Sequence, residues 1–387
     1  MEVSKFNIKY TLLMIALVYP IGYFYFAPQL RYVYGIGKWL IIALGICLIL
    51  KGAYTPSKIT LGIVALELYL LMVTVIREGN IARWMNYAIP NIAMAILVEY
   101  GISRKPSVTV KCIGMVGLMH LLINSLLGYR YDNGMNMYWL GLRVRIATYS
   151  FPILAVLLIA VFYFKKSNKG NRFWILSTVV AFILSVQFFL KEQVATAIVS
   201  MVVFLIFFLI FCFAEKITDK FPMKAWLIEI GINIGIVFFG IQSKFSWLIE
   251  GILGKSLTFT GRTTIWNSAF QQASKHFIFG SGIGTAQVFN ANGVVYEHNQ
   301  LLNLYYSGGL VALILFLLIV FVCMKKVCRI RFSMINKIMA TTLLTCSIEM
   351  ITEHPFENAL FVAMLIISYH SDDISYVEER ENDLCLY

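Results

Sequence analysis

Residues 300–324 read QLLNLYYSGGLVALILFLLIVFVCM, a run without one charged side chain. A helix of that length is enough to cross the ~30 Å hydrocarbon core of a bilayer. It is not alone. Working outward, comparable apolar runs occur near 10–28, 36–50, 59–76, 84–101, 108–127 and 147–164. Others lie near 172–190, 194–213, 225–241, 336–352 and 356–370. The second run and the last are short and suit tilted or re-entrant helices. Of the 387 residues, 59% are hydrophobic and only 13% charged. Soluble domains carry about 25% charged residues, so this chain has more apolar surface than a water-soluble fold could bury. The expectation is an all-α, polytopic membrane protein with about twelve transmembrane helices. The lipid bilayer is then its first partner.

The divisions follow from the same runs. Residues 1–241 carry the first group of spans and 242–299 form one long extracytoplasmic loop. Residues 300–370 carry the remaining spans, and 371–387 form an acidic cytoplasmic tail (Asp372, Asp373, Glu378, Glu379, Glu381, Asp383). Lys5 and Lys9 precede the first apolar run without a small-residue cleavage site, which suits a retained span. The net charge of +12 resembles a nucleic-acid signature, but its placement argues for no nucleic acid. The basic residues cluster in alternate loops: Lys165, Lys166, Lys169 and Arg172, then Lys325, Lys326, Arg329 and Arg331. About 20 of the 32 fall on one side, the excess that marks the cytoplasmic face. Both termini are then cytoplasmic. The seven cysteines are scattered, mostly inside apolar runs, and support neither a disulfide framework nor a zinc site.

Two external segments break the charge rule. In 242–299, Ile265, Trp266, Ala269, Phe270 and Ala273 recur at helical spacing. This predicts an amphipathic helix, lying on the outer membrane surface with its Trp at headgroup depth or packed on neighbouring spans. Arg262 stands near its N-terminus, where unpaired N–H groups favour an anion. The string Phe279-Gly280-Ser281-Gly282-Ile283-Gly284 follows; it suits a phosphate cradle or merely a tight turn. Glu297-His298-Asn299 then leads into the 300–324 run, placing a histidine beside a carboxylate for proton transfer or for a capping role. In the segment 128–146, Arg143 and Arg145 sit at the mouth of a span. There they are costly unless they bind something or reach water, and a guanidinium fork matches phosphate oxygens. Glu353-His354-Pro355 is a secondary candidate, and Glu67, Glu99, His120, Gln187, Glu229 and Glu349 are polar residues within spans.

Arg262 with Trp266, the Gly280-x-Gly282-x-Gly284 turn, and His298-Asn299-x-x-Leu302 followed by Gly308-Gly309-Leu310 resemble the O-antigen polymerase and O-antigen ligase superfamily. The stretch from Arg145 to Pro152 is loosely similar to its other arginine motif. The resemblance covers 260–315 well and 143–155 weakly. It implies a bacterial cytoplasmic-membrane glycosyltransferase acting on an undecaprenyl-pyrophosphate-linked oligosaccharide, without cofactor or metal. A flippase and a chain-length regulator would be its companion proteins. Catalysis would fall to His298, Arg262 and Glu297. Arg145 or Arg143, Gly280, Gly282, Gly284, Asn299 and His354 would bind substrate. The first expectation is a polymerase of capsule, exopolysaccharide or O-antigen repeats. A ligase passing the glycan to another acceptor shares the chemistry, and a lipid-linked glycan flippase or transporter is the rival from another class.

Overall fold

The computed structural model describes residues 10–15, 26–132, 135–163, 168–213, 220–241, 247, 251, 262–285, 289–290, 293–294, 297–328 and 333–374. The helices are α1 (Leu30–Leu50), α2 (Lys58–Ile76), α3 (Ile81–Arg104), α4 (Pro106–Leu127), α5 (Ala147–Tyr163) and α6 (Asn168–Lys191). After them come α7 (Ala195–Phe213), α8 (Phe221–Phe239), α9 (Arg262–Ala273), α10 (Gln300–Val327), α11 (Met334–Glu349) and α12 (Ala359–Tyr369). Among the described residues, nine helices are long and apolar enough to cross a membrane. The protein is a polytopic, all-α membrane protein. Leu44, Leu50, Leu61, Ile183, Leu209 and Phe239 face outward, where lipid tails would receive them.

Helices stand at eleven of the twelve expected places; the first, near 10–28, lies mostly outside the described residues. The run near 36–50 is not short. Its helix starts at Leu30, because the tyrosines and Arg31 that dilute its hydropathy still occupy helical turns. At the other end of the chain, α11 has 16 residues and α12 only 11. Residues 370–374 stay in the bundle: Ser371 and Ile374 are buried, and His370 Nδ1 meets Asp373 at 2.9 Å; the rest of the expected acidic tail lies outside the described residues. His370 Nε2 reaches Glu99, which also accepts from the Tyr54 hydroxyl at 2.5 Å. This cluster ties α12 to α3 at the end of the bundle away from Arg145 and Arg262.

Hydropathy did not reveal one departure from helix. β1 (Tyr129–Asp132), β2 (Met135–Tyr138) and β3 (Gly141–Leu142) form an antiparallel meander before the Arg143–Ile146 turn that opens α5. Alternating Tyr-Arg-Tyr-Asp and Met-Asn-Met-Tyr around Asn-Gly is a hairpin pattern, but too short to stand out beside 20-residue apolar runs. A second short pair, β4 (Phe289–Asn290) and β5 (Gly293–Val294), lies in the 242–299 segment.

The helix over 262–273 forms as the spacing predicts, but it packs on its neighbours. Ile265, Trp266 and Ala269 join Ile236, Val237 and Leu302 in a small core. Trp266 is 1% exposed and its Nε1 donates to the Glu297 carbonyl at 2.7 Å. An indole so enclosed is a packing residue, not one lying among headgroups.

The glycine turn is fastened to α10. That helix breaks at Gly309 (φ 66°, ψ −163°), a conformation almost confined to glycine. The break frees carbonyl and N–H groups, and the chain at 277–283 takes them up. Ser281 and Gly282 N–H donate to the carbonyls of Tyr306 and Ser307 at 2.8 and 2.9 Å. The N–H groups of Leu310 and Val311 donate to the carbonyls of Phe277 and Ile278. A Cβ at Gly280 would lie 2.5 Å from the backbone nitrogens of Gly308 and Gly309.

Candidate active site

Of the expected site residues, Arg145, Arg262, His298, Asn299 and His354 come together around the turn that joins α11 to α12. Backbone and side-chain groups of this turn hold several parts of the protein. The Met350 carbonyl accepts from Gln300 N–H, and the Ile351 carbonyl accepts from Asn299 Nδ2. Arg262 donates to the Thr352 carbonyl at 3.0 Å and approaches Glu353 Oε1 at 3.4 Å. Arg145 pairs with Glu357 at 2.9 Å. Asn358 donates to the Thr148 carbonyl at the start of α5. The Phe356 carbonyl accepts from Asn91 on α3, and its N–H donates to Gln300. Two arginines far apart in sequence thus grip opposite ends of Glu353–Glu357.

The two ion pairs differ in character. Arg145–Glu357 is short and direct. Burial lowers the Arg262 guanidinium from its ordinary pKa, and Glu353 only partly offsets this. Burial likewise raises the Glu353 carboxyl, against the pull of Arg262 and Arg145. Desolvation therefore outweighs attraction for both partners of the 3.4 Å pair.

His298 stands beside this pair, its Nδ1 4.0 Å from Glu353 Oε1. Its φ of 47° is uncommon for a residue with a Cβ. Such backbones cluster at functional sites. Burial, and then the positive charge of Arg262, push its pKa down to about 3. His298 is consequently a neutral imidazole at pH 7, in a positive local field. Glu297 is buried at the edge of the adjoining cavity, and Asn303 Nδ2 donates to its Oε1.

The other predicted residues serve the framework. Asn299 caps α10 by accepting from Leu302 N–H, and its Nδ2 donates to Asn233 and Ile351. Asn299 N–H donates to His354 Nε2 at 3.1 Å, which puts the neutral imidazole's proton on Nδ1, 3.2 Å from Glu357. The donors a phosphate cradle would use at Gly280, Ser281, Gly282 and Ile283 all serve protein acceptors. Gly284 does line the cavity. Arg143 is separate from the cluster: it is exposed, with the Glu192 carbonyl at 3.5 Å. Arg145 is the arginine that joins Arg262.

Sequence reasoning gave Glu353 and His354 second rank and passed over Glu357, Arg83 and Asn91. The one signal was compositional: Glu353-His354-Pro355-Phe356-Glu357 places three ionisable groups between two apolar runs. Of the polar residues within spans, Glu67 reaches the cavity, Glu99 belongs to the opposite end, and His120 accepts from Trp139 Nε1 at 3.0 Å. No protein-family model and no curated protein matches the chain.

Proposed function

We propose that the protein is a glycosyltransferase of the bacterial cytoplasmic membrane. It joins undecaprenyl-pyrophosphate-linked oligosaccharide repeats into a longer polysaccharide. The observation that carries this reading is the convergence of Arg145 and Arg262 on one turn, with the neutral His298 alongside. Two guanidinium groups at one end of a membrane bundle suit a diphosphate that is itself tethered to lipid. The family resemblance points to the same chemistry.

In the reaction, an acceptor hydroxyl attacks the anomeric carbon of the donor glycan. The new C–O bond forms as the bond from that carbon to the pyrophosphate breaks, and the electron pair leaves with the lipid pyrophosphate. Arg262 balances the charge growing there, with Arg145 holding the opposite end of the turn. His298, with a depressed pKa, is a weak base; its role is to donate a hydrogen bond to the leaving group. Glu297 is the candidate that takes the hydroxyl proton, a contribution typically worth 10²–10⁴-fold.

The test supplies purified protein with lipid-pyrophosphate-linked repeat units and no nucleotide sugar. A ladder of products is expected, as distinct from the single transfer a ligase would make. Arg262→Lys keeps the charge but loses the fork, and the ladder should weaken at least tenfold, roughly one lost charged hydrogen bond. A wild-type protein that moves the lipid-linked units across the bilayer and forms no ladder would make it a transporter.

A further inference from the structure

Next to the arginine cluster, a cavity of about 340 Å³ runs between α2, α3 and α10. Arg83 and Gly284 border it, and Asn91 lies two helical turns further along α3, about 12 Å along the axis. Its polar lining is rich in acceptors. Among the described residues, the carboxylates of Glu67, Glu297 and Glu357 outnumber two guanidiniums, that of Arg83 in the lining and that of Arg145, which pairs with Glu357. Asn91 is 1% exposed. Its Nδ2 donates to Glu67 Oε1 at 2.8 Å and to the Phe356 carbonyl at 2.9 Å. Its Oδ1 is equally buried and receives no hydrogen bond among the described residues. Leaving such an oxygen unpaired costs about 1–3 kcal/mol, and native structures rarely do so without a reason. Leu70, Leu304 and Phe356 supply apolar walls beside these acceptors.

A ligand for this space must bring hydrogen-bond donors, present apolar faces and carry no negative charge. We propose that the cavity binds an uncharged saccharide ring, one hydroxyl of which donates to Asn91 Oδ1. Glucuronate-like and phosphorylated sugars are disfavoured by this excess of carboxylates. The volume is at the small end of ligand cavities, which limits it to a few rings at most. On the glycosyltransferase reading, this ring belongs to the acceptor, because Glu297 lines the same wall; binding itself does not depend on that reading.

The experiment is saturation-transfer NMR on the full chain in lipid nanodiscs free of glycoside detergents. The probes are methyl glucoside, methyl galactoside, N-acetylglucosamine and glucuronate. At least one uncharged probe should receive magnetisation and glucuronate should not. Asn91→Leu should weaken binding about tenfold, as for one buried hydrogen bond. Leu304→Trp, which fills the cavity and leaves the amide contacts alone, should abolish it. Size-exclusion retention establishes that each variant is folded. Arg262→Lys should bind the probe as wild type does even where ladder formation is lost, so the two readings fail separately. Equal transfer to glucuronate, transfer to none of the probes, or unchanged binding in folded Leu304→Trp would overturn the assignment.

Discussion

At the scale of the residue, His298 is defined by what surrounds it. Burial and Arg262 hold its folded pKa near 3, below the ~6.5 of an unfolded histidine. Between these values the unfolded chain binds the extra proton, so stability is full above about pH 6.5 and falls as pH drops. The loss is up to about 2 kcal/mol at pH 5. The apparent melting temperature of wild type should therefore fall between pH 7.5 and pH 5 by more than that of His298→Gln. Parallel curves for the two proteins would mean that the histidine titrates normally. Arg262, Arg145 and His298 were visible in the sequence because charge at the edge of an apolar run is conspicuous. Asn91 was not: a single amide within a span has no pattern, and its importance comes from contacts with Glu67 and Phe356.

At the scale of the element, α10 shows where hydropathy misleads. Residues 300–324 read as one uninterrupted span, yet the helix is broken at Gly309 and patched by the chain at 277–283. Both glycine strings were legible as flexible backbone; their mutual pairing was not, because backbone hydrogen bonds leave no trace in side-chain pattern. Gly309→Ala should cost 1–3 kcal/mol in backbone strain alone, and its Cβ would also press on the Ile278 carbonyl. Gly35→Ala on α1 meets nothing within 4 Å. It should be neutral or stabilising by about 0.5–1 kcal/mol. Comparing thermal aggregation of the two variants in detergent checks this. Equal behaviour would show that the break is not needed. The 262–273 helix, by contrast, was legible from its spacing, and only its partner was left open between lipid and protein.

For the whole molecule, the alternation of helices sets which segments share a side. Tyr131 in the meander and Lys275 after α9 lie at the same end as Arg145 and Arg262, whereas Lys51 and Ser103 lie at the other. Membrane-impermeant maleimide should label Tyr131→Cys and Lys275→Cys in intact cells, and Lys51→Cys and Ser103→Cys only after lysis. Labelling in the reverse sense would put the candidate site on the cytoplasmic face and remove the lipid-pyrophosphate reading. Helix class and the places of the helices were legible because the bilayer imposes them on composition; the charge pattern offers a sidedness that the labelling tests. The hub at Glu353–Asn358 was not, since five of its six residues matter through partners elsewhere in the chain.

That hub also fixes an order of events. Glu357 follows its partner Arg145 by 212 residues, and Glu353 follows Arg262 by 91. Chains are synthesised from the N-terminus at about 5–20 residues per second, so both guanidinium groups emerge and are inserted before any of their carboxylate partners exists. During biogenesis the protein must shelter two uncompensated cations for several seconds to tens of seconds, and the site closes only when the α11–α12 turn arrives.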